Sequence, residues 1–273
     1  MPKVKVGDIN IYYEIYGKGF PLVMIRGLSS SLDSWSPFTI KKLSQTFKVI
    51  IFDNRGAGRT EPVLDGKYSA KMMADDTIGL MDAIDVEKAF FVGYSLGGCI
   101  AQEIVLNYSL RVEKLILTSS WCGPPHGIVT PDPDKNPFPK MLPFMKAGDF
   151  EKMARILTEA LFPEEYKTAN PDVIEKVVKN YMAHPPIPKG FEGQAAYVES
   201  FNTYDRLIEI KIPTLILHGT EDLILPVENA KILAERIPFS ELFLFENTGH
   251  GMLTQEKELF TQKVINFLMK EKT

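Results

Sequence analysis

The chain has 273 residues, 45% hydrophobic and 24% charged, which suits one globular α/β core carrying an insertion better than two equal domains. A formal net charge of −4 with no lysine or arginine block argues against nucleic acid or an anionic membrane surface as the main partner. Met1 to Val6 lacks an apolar signal core and no stretch is long enough to span a bilayer, so the expected location is cytoplasmic; Cys99 and Cys122 alone suggest neither a disulfide framework nor a cysteine metal cluster.

Ile9 to Tyr16 alternates apolar and polar residues after a Gly7-Asp8 turn and predicts an antiparallel hairpin with Val4 to Val6. Short, nearly continuous apolar runs follow at Leu22 to Ile25, Val49 to Phe52, Phe90 to Val92, Leu115 to Leu117, Leu215 to Leu217 and Leu242 to Phe245, the pattern of parallel strands covered on both faces. Between them, Met73, Thr77, Leu80 and Ile84 share one helical face, and Phe260, Val264, Phe267 and Leu268 share another. Pro226 stands where an N1 proline would start a helix over Val227 to Ile237. The architecture predicted is a doubly wound, mostly parallel α/β sheet flanked by helices.

The alternation breaks between Gly123 and Leu207. Prolines 124, 125, 131, 133, 137, 139 and 143 crowd a segment too poor in amide donors for a core strand, and it reads as a linker. Beyond it, Met153, Ile156, Leu157, Ala160 and Leu161 follow helical spacing, as do Ile174, Val177, Val178, Tyr181 and Met182. Residues 123–207 are therefore expected to form an inserted helical cap on a core made of 1–122 and 208–273. The apolar faces of the cap helices serve either cap packing or substrate; Met141, Phe144, Met145 and Met153 are the candidates for substrate, as is Trp35 near the loop after the third strand.

Gly93-Tyr94-Ser95-Leu96-Gly97-Gly98 follows the Ala89 to Val92 run and leads into an amphipathic stretch, which places a serine on a strand-to-helix turn. A serine there is a candidate nucleophile, and glycines flank it where side chains would collide with the neighbouring strand and helix. Because a serine hydroxyl is barely ionised near neutral pH, it needs a base and an orienting acid. Of four histidines, His250 alone lies in a small-residue loop directly after the final strand, and it is the predicted base. His218, ending the preceding strand, reads as satisfying loop hydrogen bonds, and His126 and His184, in proline-rich context, as surface residues or occasional substrate contacts. Asp222, after the Leu215 to Leu217 strand, is the predicted acid, with Glu221 as a competitor more suited to solvent.

The elbow, the order Ser95, Asp222, His250, and the Gly219-Thr220-Glu221-Asp222 and Gly249-His250-Gly251 contexts resemble the α/β-hydrolase fold superfamily across nearly the whole chain except the cap. Within it, the elbow with Ala101-Gln102 is similar to carboxylesterases and the 3-oxoadipate enol-lactonase-like group. The resemblance implies an oxyanion hole made by the backbone N–H groups of Leu96 and Leu28. At the start of that loop the superfamily usually has histidine-glycine, whereas this chain has Arg26-Gly27, and Arg26 is expected either to pair with a cap or loop carboxylate or to face solvent. Asp53-Asn54-Arg55-Gly56-Ala57-Gly58-Arg59-Thr60 also resembles a superfamily signature whose role is chiefly structural. Glu61 in place of a third glycine excludes a dinucleotide fingerprint, and no metal-ligand spacing occurs.

These residues imply acyl transfer to water through Ser95, without cofactor or metal, on a small-molecule ester or lactone, by a monomer or homodimer. Carbon-carbon hydrolysis of a vinylogous diketone and slow-turnover ligand binding are the alternatives the same motifs allow.

Overall fold

Residues 3–61, 66–130 and 136–270 are described by a computed structural model of the chain. The alternating strand and the unbroken apolar runs divide as their patterns require. β1 (Lys3–Val6) and β2 (Ile9–Tyr16) form an antiparallel hairpin with Val4 opposite Ile11, turning at Gly7 with φ 55°. β2 pairs antiparallel with β4 (Lys48–Phe52), which pairs parallel with β3 (Pro21–Ile25). β5 (Ala89–Tyr94), β6 (Val112–Thr118), β7 (Thr214–Gly219) and β8 (Ser240–Phe245) continue the parallel part of an eight-stranded sheet ordered β1-β2-β4-β3-β5-β6-β7-β8.

Helix α1 (Pro37–Leu43) precedes β4, and α2 (Ala70–Ala83) and α3 (Leu96–Asn107) bracket β5. Among the described residues, five α-helices lie between β6 and β7: α4 (Pro137–Ala147), α5 (Phe150–Leu161), α6 (Glu164–Ala169), α7 (Pro171–Ala183) and α8 (Pro188–Ala195). α9 (Glu228–Arg236) joins β7 to β8, and α10 (Met252–Gln255) and α11 (Lys257–Met269) follow the last strand. Successive side chains of a strand point to opposite faces, so each buried strand feeds two cores. Val23, Ile25, Ile50, Phe52 and Phe91 pack with α2 and α3, while Leu22, Met24, Val49, Ile51 and Val92 pack with Leu43 of α1 and with Phe260, Val264 and Phe267 of α11. Cys99 and Cys122 are free and buried. Among the described residues, no helix is long and apolar enough to cross a membrane.

Three sequence expectations are corrected. Pro137, Pro139 and Pro143 lie in helix α4 rather than in a linker. Pro137 starts the helix and Pro139 sits in its first turn, where backbone amides have no intrahelical acceptor, so only Pro143 removes a helical hydrogen bond. Pro131 and Pro133 lie outside the described residues. The helix expected from Val227 begins at Glu228 with Val227 as its N-cap, and Pro226 therefore precedes the helix, its carbonyl accepting from the Asn229 amide. β8 is the edge strand, so Glu241 and Leu242 are exposed instead of covered on both faces.

The segment after β4 is held together internally. Asp53, fully buried, accepts hydrogen bonds from the Leu32 amide at 2.6 Å, the Arg59 amide at 2.8 Å and Arg59 Nε at 3.2 Å. Asn54 Nδ2 donates to the Arg26 carbonyl at 3.1 Å, and Arg55 grips Asp76 of α2 through Nε at 2.5 Å and Nη2 at 2.6 Å. Gly58 is required because a Cβ there would lie 2.3 Å from the Asp53 carboxylate. The motif thus braces the loop after β3 from beneath. Asp53→Ala leaves two amides and Arg59 Nε without their acceptor, and urea denaturation is expected to show a loss of roughly 3 kcal/mol. An unchanged midpoint would show that this brace carries no stability.

Candidate active site

Ser95 sits between β5 and α3 with φ 56° and ψ −121°, a backbone conformation that costs a non-glycine residue energy and persists only when its surroundings enforce it. They do so by contact. A Cβ on Gly93 would lie 2.3 Å from the Gly97 carbonyl oxygen, and one on Gly97 would lie 2.1 Å from that of Ile25 in β3. The Ser95 amide donates to the Thr118 carbonyl of β6 at 2.9 Å, and its own carbonyl accepts from Gly98 N at 2.8 Å and Ser120 Oγ at 3.0 Å. The serine is half-buried and lines both cavities described below.

Asp222 follows β7 and His250 follows β8, so adjacent parallel strands deliver them to the same sheet edge as Ser95. His250 Nδ1 lies 2.7 Å from Asp222 Oδ2, and the other carboxylate oxygen, Oδ1, accepts from the Ile224 and Leu225 amides at 2.9 Å each. Glu221, the competitor, is exposed. Burial pushes the Asp222 carboxyl upward, but the charge and hydrogen bonding of His250, aided by His218, outweigh it and hold the group well below the usual carboxylate range. His250 is fixed from a second side: the Tyr94 hydroxyl donates to its backbone carbonyl at 2.7 Å. Among the described residues no hydrogen bond joins the Ser95 hydroxyl to the imidazole; the two share a cavity of about 160 Å³.

Leu28 and Leu96 border that serine as well. Leu96 is the first residue of α3, where an amide has no intrahelical acceptor, and the Leu28 amide takes no acceptor among the described residues. Both N–H groups are therefore free to donate. Gly27 lets this loop approach, since a Cβ there would lie 3.0 Å from that of Ser95. The loop is also tied to the helices between β6 and β7: Gln194 of α8, fully buried, accepts from the Ser29 amide at 2.6 Å and donates to the Arg55 carbonyl at 2.7 Å. Among the described residues Arg26 pairs with no carboxylate, and it does not face solvent. It is 8% exposed, forms no ion pair among the described residues, and lies 4.9 Å from the Trp35 ring and 4.8 Å from the Tyr94 ring.

Of the five residues named for substrate contact, Met141 borders the smaller cavity. Met145, Met153 and Phe144 pack with Met141 and Phe191 in a cluster among the helices between β6 and β7, and Trp35 packs into the core beside α1 and α11; none of these four lines either cavity. A larger cavity of about 850 Å³ is bounded instead by Ser95, Trp121, Phe138, Phe191, Tyr197 and Ile224, among others. His126 stacks on Tyr204, and His184 lies 3.6 Å from Asp33. His218 is fully buried with Nε2 2.8 Å from the Leu225 carbonyl, the loop bond expected of it, and also 3.3 Å from Asp222 Oδ2. Tyr94 and Gln194 escaped sequence reading because each acts across a long chain separation with no local pattern to mark it, and the Asp222 contact of His218, only four residues away, depends on how the loop after β7 folds back on its strand.

Residues 21–256 match the family model described as the alpha/beta hydrolase fold, and the chain belongs to that family. A protein named as a carbamate hydrolase, RutD, from Caulobacter sp. strain K31 is 27% identical over 265 residues, covering 96% of each chain. The solved structure of Est816, described as an N-acyl homoserine lactone degrading enzyme, superposes with TM-score 0.78 at 29% identity, covering 97% of this chain and all of that one. The enol-lactonase from Burkholderia xenovorans LB400 superposes with TM-score 0.86 at 22% identity over 98% of this chain and 100% of its own, a likeness of fold.

The depressed Asp222 pKa has a defined consequence for stability. Its folded value lies below the unfolded one, so its stabilising contribution is complete above the unfolded value near 3.8 and is lost as pH falls through the lower folded value. The wild type is expected to exceed Asp222→Asn in urea stability near neutral pH, with the gap closing below about pH 4. A gap that widened on acidification would contradict this sign.

Proposed function

We propose that the chain is a serine hydrolase that cleaves a carboxylic ester or lactone through an acyl-enzyme intermediate. One observation carries the reading: the Asp222 to His250 hydrogen bond of 2.7 Å opens onto the same cavity as a serine held at positive φ. In the proposed reaction Ser95 Oγ attacks the carbonyl carbon while His250 Nε2 takes the hydroxyl proton. Asp222 keeps Nδ1 protonated and balances the imidazolium charge. The Leu28 and Leu96 amides receive the oxyanion, and His250 then passes its proton to the leaving oxygen. Water, deprotonated by the same imidazole, releases the acid.

The insertion acts as a lid in this reading. Phe138 and Leu142 from α4 and Phe191 from α8 wall the larger cavity, whose apolar surface and size suit a small or medium acyl or alcohol group. A carbamate is a second reading, favoured by the name of the relatives; it uses the same attack on a carbonyl, with nitrogen in place of one carbon or oxygen substituent.

Hydrolysis of p-nitrophenyl esters of increasing acyl length, and of a matched p-nitrophenyl carbamate, tests both readings. Turnover of an ester at ordinary enzyme rates is expected, and Ser95→Ala should lower it by on the order of 10⁴. Equal rates for folded wild type and Ser95→Ala would remove the nucleophile assignment. Preference for the carbamate would select the second reading.

A further inference from the structure

The smaller cavity beside Ser95 is lined by a charge that no described residue matches. Arg26 Nε and Nη1 are buried with no hydrogen-bond partner, and so are Ser29 Oγ and Trp35 Nε1 close by. Arg26 and Ser29 both line the cavity, and no aspartate or glutamate does among the described residues. The rings of Trp35 and Tyr94 do not explain these orphaned groups, because stacking engages the face of a guanidinium and leaves its N–H edge free. A guanidinium has two planar forks matched to a carboxylate, Nη2 with Nε and Nη2 with Nη1, and each contains one of the unpartnered nitrogens. Burial lowers the Arg26 pKa to about 10, so the group stays charged near neutral pH.

We propose that Arg26, with Ser29 beside it, forms a carboxylate subsite, so that the preferred substrate is an ester or lactone bearing a free carboxylate a few bonds from its scissile carbonyl. The short reach follows from the chain: Arg26 is two residues from Leu28, whose amide is the proposed oxyanion donor, and both share the cavity with Ser95. The cavity, about 160 Å³, holds a carboxylate on a short carbon chain, while the larger one receives the rest of the molecule. A desolvated guanidinium without a protein counter-charge favours an anion over a neutral group of the same shape, so the subsite selects by charge as well as by fit.

This inference rests on the serine-hydrolase reading for its chemistry but not for its binding, and the experiment separates the two. Mono-p-nitrophenyl glutarate and its methyl ester, which lacks the free carboxylate, are compared in wild type, Arg26→Lys and Arg26→Met, and glutarate binding is measured by calorimetry in wild type and Ser95→Ala. The wild type is expected to prefer the carboxylate ester in kcat/KM. The ratio of the two kcat/KM values should fall roughly a hundredfold in Arg26→Met, and glutarate affinity should fall with it. Arg26→Lys, which keeps the charge but loses the fork, should lie between them, and carries the test if the methionine variant fails to fold. A structural role alone would lower both esters together and leave the ratio unchanged, which overturns the subsite, as does an absence of glutarate binding in wild type and Ser95→Ala. Arg26-dependent glutarate binding without Ser95-dependent hydrolysis of either ester would keep the subsite and overturn the hydrolase reading. Hydrolysis of both esters with no preference and no glutarate binding would do the reverse.

Discussion

The positive φ of Ser95 is a local cost that the surrounding structure must hold in place, and much of the molecule is arranged around it. Gly93 and Gly97 let the turn close on itself, while the Ile25 carbonyl of β3 and the Thr118 carbonyl of β6 press or anchor it from the two neighbouring strands. A tight turn between a strand and a helix lifts the hydroxyl clear of both elements. The same closeness brings the loop after β3 to Ser95, with glycine at position 27 where a Cβ would crowd the serine at 3.0 Å.

Parallel pairing supplies the rest of the site. Because β3 to β8 all run in one direction, the segments after β3, β5, β7 and β8 emerge at one sheet edge, and Arg26, Ser95, Asp222 and His250 meet there from distant parts of the chain. Short hydrogen bonds then set their orientation. Tyr94 holds the His250 backbone, Asp53 holds the Leu32 amide and Asn54 holds the Arg26 carbonyl, so the loops are tied to buried groups and not left to their own conformational preferences. Gln194 extends this bracing into the helices between β6 and β7, which couples the wall of the larger cavity to the loop beside the serine.

Two buried charges show opposite treatments. Asp222 is surrounded by donors: two backbone amides, His250 and His218. Its charge is satisfied within the protein, and its depressed pKa records that. Arg26 is also buried, but among the described residues it meets aromatic rings and no counter-charge, and its Nε and Nη1 have no acceptor there. A carboxylate completed by its own protein suits a fixed role in orienting a base, whereas a guanidinium left incomplete suits recognition of something brought from outside.

Local pattern was sufficient for the sheet. Each predicted apolar run became a strand, the Gly7-Asp8 turn became the hairpin, and the glycine pattern around Ser95 marked the elbow, because strand burial and steric exclusion act on neighbouring residues and leave a period or a small side chain in the sequence. Chain order relative to the strands was enough to bring Ser95, Asp222 and His250 forward as candidates and to favour Asp222 over the exposed Glu221. The segment between β6 and β7 was less legible. Its prolines suggested a linker where three of them sit in α4, since a proline's cost depends on its place within a helix and not on how many lie nearby. Whether Met145, Met153 and Trp35 faced a cavity or a core depended on how helices and loops pack, and that orientation, like the isolation of Arg26 from every carboxylate among the described residues, arises from contacts between residues far apart in sequence that only the tertiary structure decides.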